Sequence, residues 1–101
     1  MYNAHMKLRF TWDRAKNRSN VRKHRVSFEE ARSAFHDERA LLIDDPGHSS
    51  REDRFILMGL SDALRVLIVC HCYRDNEVIR IISARKANAS ERAEYHGRWK
   101  P

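Results

Sequence analysis

Three basic side chains, Arg54, His71 and Arg80, fall at intervals that strand pairing can bring together. Reading Asp75-Asn76 as a two-residue hairpin loop sets Arg74 against Glu77 and His71 against Arg80. Reading Ser61–Leu64 as the preceding turn sets Leu60 against Arg65, and counting back sets Arg54 against His71. Directly opposed Cβ atoms lie about 4.5–5.5 Å apart. Like charges this close repel, and an anion held between them turns repulsion into attraction. Phosphate matches the guanidinium fork. The competing expectation is that Arg54 and Arg80 bind the protein's own acids, such as Glu52 or Glu77.

The elements that position this row are legible as patterns. Leu8, Phe10 and Trp12 alternate with polar residues and read as a short strand. Asp13 is an N-cap for a helix through Lys23, poor in apolar residues and therefore superficial. Ser27-Phe28-Glu29-Glu30 is a capping box, with Val26 placed to staple onto Ala31. Phe28, Ala31, Ala34 and Phe35 form an apolar helical stripe. Residues 40–43, 54–60, 65–73 and 78–85 read as strands, and 44–50 as a turn-rich loop. Asn88-Ala89-Ser90-Glu91 opens a last helix through His96. The order is β-α-α-β-β-β-β-α, an α+β fold with an antiparallel meander. The row should share a face with Ile56, Met58, Leu67, Val69, Val78 and Ile82. Phe55, Leu57, Val66, Ile68, Cys70, Cys72, Ile79 and Ile81 should occupy the reverse. Both faces are apolar and need cover.

The chain of 101 residues carries 20 Lys+Arg against 14 Asp+Glu, a net charge of +6. That is the size of one domain, residues 1–101, with residues 1–6 expected to be disordered. The basic excess favours polyanions or an acidic partner. It is concentrated in residues 7–25, which carry +7, against −5 over 26–64 and +4 over 65–101. Within it, Lys23-His24-Arg25 reads either as a phosphate clamp or as compensation of a helix dipole. No run reaches the ~18 apolar residues of a membrane span, and no signal-peptide pattern opens the chain. The expectation is a cytoplasmic protein. Cys70 and Cys72 flank His71, but strand alternation turns the histidine away from both thiols, so no metal site is expected. No glycine-rich phosphate loop or Ser/His/Asp order is present, and no cofactor is expected.

Together these pieces resemble the BrnT family. The resemblance rests on Phe10-Thr11-Trp12-Asp13, Lys16-Asn17, Asn20, Lys23-His24 and Val26-Ser27-Phe28-Glu29-Glu30-Ala31. It continues through Arg54, Gly59, His71-Cys72-Tyr73-Arg74, Arg80 to Ala87, Glu91-Arg92 and Tyr95. One departure is Arg25, where the family pattern has Gly after Lys-His. The resemblance implies a RelE-like ribonuclease toxin of a bacterial type II toxin–antitoxin system, which cleaves RNA and inhibits translation. It implies a BrnA-type antitoxin, operator DNA bound through the complex, and a homodimer within a heterotetramer. On that footing Arg54, His71, Arg80 and Glu77 are the candidate catalytic residues. Lys23, His24, Arg85 and Tyr95 are candidates for binding RNA. Arg85 has the opposite strand parity to Arg80 and needs a bulge to join it. The alternative is a non-catalytic module, derived from such a toxin, that binds nucleic acid or antitoxin.

Overall fold

The computed structural model describes residues 8–44, 53–75 and 77–98. The expected disorder of residues 1–6, the loop over 45–50 and hairpin residue 76 lie outside the described residues. The elements in chain order are β1 (Arg9–Thr11), α1 (Arg14–His24), α2 (Phe28–Ala34), β2 (Leu41–Asp44), β3 (Phe55–Leu60), β4 (Val66–Asp75), β5 (Val78–Lys86) and α3 (Ala89–Gly97). The element order matches the sequence reading.

The five strands form one sheet in the order β1-β5-β4-β3-β2. β2 to β5 are an antiparallel meander, as expected, but β1 pairs with β5 in parallel, so the sheet is mixed. A parallel pair needs a long crossover. Here α1, α2 and the three-strand return supply it, and β5 arrives beside the strand that began the chain.

The caps follow from local sequence. The Asp13 carboxylate accepts from the Lys16 amide at 2.9 Å and starts α1. The Ser27 hydroxyl accepts from the Glu30 amide at 3.0 Å and starts α2. The reciprocal half of that box is not made, because Glu30 turns to Ser61 and to a two-point ion pair with Arg65. At α3 the box is complete, with Asn88 and Glu91 serving each other's backbone. α1 ends at Arg25 in the left-handed region, φ 58°, whose amide donates to the Val21 carbonyl.

Two apolar clusters lie on opposite faces of the sheet. On one face α2 presents Phe28, Ala31, Ala34 and the following Phe35 to Leu57, Leu67, Val69, Ile79 and Ile81. A side chain at Gly59 would meet the Ala34 carbonyl at 2.9 Å, so glycine lets the end of α2 close on β3. On the other face Tyr95 of α3 and Ala87 cover Met58, Val66 and Ile68. Each large apolar side chain buried this way contributes about 1.5–3 kcal/mol.

The register differs from the expected one at both hairpins. Ser61 and Arg65 pair, with Leu64 at φ 62° closing a three-residue loop, so Leu60 faces Val66 rather than Arg65. An odd loop of this kind, a turn followed by a left-handed residue, changes strand parity. At the second hairpin Asp75 faces Val78 and Tyr73 faces Ile79, leaving Arg74 as an extra residue. His71 therefore faces Phe55 and Ile81, and the expected Arg54–His71–Arg80 row does not form. The face assignments change with it: Leu57, Leu67, Val69, His71, Ile79 and Ile81 share the helix side. Ile56, Met58, Val66, Ile68, Cys70 and Cys72 share the other.

Candidate nucleic-acid interface

Both slips move in the same direction, so the two arginines stay on a common face. Arg80 faces Cys72. Continued by one residue, the β3–β4 ladder places Arg54 on the other side of the same Cys72. Cys72 stands where histidine was expected.

A second irregularity brings in Arg85. Cys70 faces Ser83 while His71 faces Ile81, so Ile82 is an extra residue in β5. Such a bulge re-aims the residues that follow it. Arg80, Ser83 and Arg85 consequently occupy three successive rows of one face, opposite Cys72, Cys70 and Ile68. A cavity of about 240 Å³ opens there, lined by His24, Arg54, Ile56, Ile68, Cys70, Ser83, Ala84 and Arg85. Three expected site residues, Arg54, His24 and Arg85, thus share one cavity, and Arg80 stands one row away.

The cavity's cations are held to different degrees. Arg85 makes a two-point ion pair with Glu91 at 2.8 and 2.9 Å. The Arg85 guanidinium, beside Glu91, holds that carboxyl down at about 2. Neither bond uses the Arg85 Nε–H. The Arg80 charge reaches Asp13 and, after the stronger effect of the Lys16 amide, lowers its carboxyl. His24 is the last residue of α1 and is exposed, and Lys23 beside it is also exposed.

Three expected site residues are elsewhere. His71 lies fully buried on the helix face. Its ring packs edge-on against Phe35 at 4.8 Å and Tyr73 at 5.7 Å, with Phe55 tilted at 6.1 Å. Burial pushes its pKa down to about 4, and the ring is neutral at pH 7. Nδ1 lies 3.2 Å from the Val69 carbonyl, and Nε2 has no hydrogen-bond partner. It cannot reach a phosphate on the opposite face. Glu77 is exposed at the end of the sheet and pairs with Arg9 at 3.4 Å. Tyr95 is buried under α3, and its hydroxyl donates to Asp37. Burial first, and the Asp37 carboxylate second, raise that phenol to about 12. Neither Glu77 nor Tyr95 lines the cavity that holds Arg54, His24 and Arg85.

Ser83 and Cys70 were missed as cavity residues, since their placement depends on the bulge. Asn17 and Asn20 belong to the quoted motif and prove to position α1. Asn20 is buried, donates to the carbonyls of Val26 at 2.8 Å and Ala84 at 2.7 Å, and accepts from the Ala84 amide at 3.1 Å. It completes the β5 edge where β1 has ended. Asn17 accepts from the Phe28 amide and donates to Glu29, both at 2.9 Å. The available signal was two amides on the inward side of a helix that is poor in apolar residues.

Among the described residues no group of three or more His, Cys, Asp or Glu is placed to hold a metal ion. No helix of the described residues is long and apolar enough to cross a membrane.

No curated protein matches the chain. The fold is similar to the 1.1 Å crystal structure of the Brucella abortus ribonuclease toxin BrnT, with a TM-score of 0.55 and 24% sequence identity over 81% of this chain and 99% of that one. At that identity the likeness speaks to the fold. The family described as the ribonuclease toxin BrnT of type II toxin–antitoxin systems matches residues 12–91. That span holds α1, α2, the whole meander with its bulged strand and the first turn of α3, and on it the chain belongs to the BrnT family of type II ribonuclease toxins.

Proposed function

We propose that this chain is a metal-independent endoribonuclease of RelE-like fold. In this reading it cleaves RNA, inhibits translation in the cytoplasm and is neutralised by a BrnA-type antitoxin. The observation that carries it is the cavity that gathers Arg54, Arg85 and His24 around Ser83. No carboxylate is among its lining residues, and the two arginines and the histidine among them suit an anion.

The substrate phosphate lies over the Cys70–Ser83 row, with Arg54 and Arg80 on one side and Arg85 on the other. The 2′-oxygen attacks phosphorus, the bond from phosphorus to the 5′-oxygen breaks, and a 2′,3′-cyclic phosphate remains. The guanidinium groups hold the charge that grows on the phosphate oxygens, the kind of contribution worth about 10²–10³ per donor. His24 is the one imidazole in the cavity lining. It takes the proton-carrying role that His71 cannot reach.

Purified chain, incubated with RNA in EDTA, should yield fragments ending in cyclic phosphate. Cleavage that requires added Mg²⁺ would remove metal independence. RNA binding without cleavage would favour the non-catalytic module. The antitoxin, in a heterotetramer that contains a homodimer of this chain and binds operator DNA, should suppress cleavage by covering this face.

A further inference from the structure

α1 lies along the β5 edge that β1 leaves uncovered. Thr11, the end of β1, faces Arg80, and Asn20 of α1 bonds to Ala84 farther along the same edge. Eleven helical residues span about 16 Å, enough to cover the stretch from Arg80 to Arg85, which face Cys72 and Ile68, four strand steps of about 3.3 Å each on β4. Helix and strand run together from one cation to the other.

The two flanks of α1 differ. Asn17, Arg14 and Arg18 line a polar hollow with Phe10, Trp12 and Glu29, on the side facing α2. Lys16 and Lys23 are seven residues apart and project within about 20° of each other, on the opposite flank. Both are exposed. At one end the Lys16 amide donates to the Asp13 carboxylate at 2.9 Å, whose pKa the Arg80 charge also lowers. His24, next to Lys23, shares its cavity with Ser83 and Arg85. The lysines therefore line a seam between the two ends of the proposed phosphate site.

We propose that Lys16 and Lys23 form a backbone track for single-stranded RNA, carrying the nucleotides that flank the reacting phosphate along the α1–β5 seam. This rests on the ribonuclease reading of the cavity and adds where the rest of the strand runs. The track reads charge and not sequence, as expected of ammonium groups on flexible stems.

The test compares cleavage of a dinucleotide and of an unstructured oligonucleotide by the parent, by a Lys16→Ala/Lys23→Ala double variant, and by Arg18→Ala as a charge control on the other flank. The parent should cleave both substrates, with a lower KM for the oligonucleotide. The double variant should lose that length advantage. Each lysine neutralising one phosphate contributes about 0.7 to the slope of log affinity against log salt. The double variant should therefore show a slope smaller by about 1.4, so its deficit shrinks about sevenfold between 50 and 200 mM salt. Arg18→Ala should keep the parent's length advantage. A double variant with the parent's slope and length advantage would overturn the track. So would an Arg18→Ala deficit equal to that of the double variant, or a double variant that loses only antitoxin binding. A parent that cleaves neither substrate would instead overturn the ribonuclease reading.

Discussion

Arg80 and Arg85 are five residues apart on one strand yet project from the same face of the sheet, because Ile82 is an extra residue between them. Unbroken alternation would have sent Arg85 into the helix-covered core. Its guanidinium would then have been buried without a carboxylate, an arrangement costing several kcal/mol. The bulge avoids that and places three arginines around Ser83. Ile82 itself stays half-buried.

Replacing either arginine of the Cys72 row, as Arg54→Ala or Arg80→Ala, should lower the rate of RNA cleavage about 10²–10³-fold. Circular dichroism and thermal melting should show a folded protein in each case. An Arg80→Ala variant that cuts RNA like the parent would remove Arg80 from the site. One that is unfolded would make it a structural residue.

His71 should be dispensable for cleavage and should govern stability in acid. Its folded pKa of about 4 lies below the ordinary 6.5, so the unfolded chain binds the extra proton between those values. Stability is fully present above about pH 6.5 and is lost as pH falls towards 4, by about 3 kcal/mol for a shift of this size. Urea titrations of the parent and of His71→Phe at pH 7.0 and 4.5 test this. The parent should lose more stability than the variant on acidification. Equal losses would show that the ring is not buried neutral, and loss of cleavage in a folded His71→Phe would return it to the site.

How far the sequence carried the structure depends on parity. Element order was legible because Asp13, Ser27 and Asn88 are strong caps and the apolar periods are clean. The site was legible as a set of arginines and not as a geometry. Leu64 in a left-handed conformation makes an odd hairpin loop, and no residue type at that position announces it, since glycine or asparagine would be usual there. The Ile82 bulge is equally silent in a run of β-branched residues. One unpaired residue exchanges the two faces of a strand, which is why Cys72 replaced His71 between the arginines. The parallel β1–β5 pair was hidden because it joins the two ends of a long crossover.

Arg25→Gly should stabilise the protein by about 1 kcal/mol. Arg25 sits at φ 58°, a region that suits glycine. Its carbonyl accepts from Arg65 at 3.0 Å, and its amide donates to Val21, and both bonds belong to the backbone that glycine keeps. Chemical denaturation of the two proteins side by side checks the sign. A variant less stable than the parent would mean that the Arg25 side chain contributes more than the strain it carries.

Asn20 is the residue whose loss should be felt most strongly outside the apolar core. Its side chain makes three hydrogen bonds to backbone, two of them to Ala84 on the edge of β5 that β1 leaves unpaired. Asn20→Ala leaves the Val26 carbonyl and both Ala84 groups without partners in a buried place, at about 1–3 kcal/mol for each group left unsatisfied. Asn20→Asp should be worse despite its similar shape. An ionised carboxylate can accept from the Ala84 amide but faces two carbonyls that the amide nitrogen had served, and it carries a charge into the interior. The order of stability should therefore be parent, then Asn20→Ala, then Asn20→Asp at neutral pH. The Asp variant should recover part of its deficit in acid, as its carboxyl gains a proton and with it a donor. Denaturation at pH 7.0 and 5.0 measures both effects. If Asn20→Asp matched the parent at pH 7.0, the two carbonyl contacts would carry no weight, and the edge of β5 would be held by some other means.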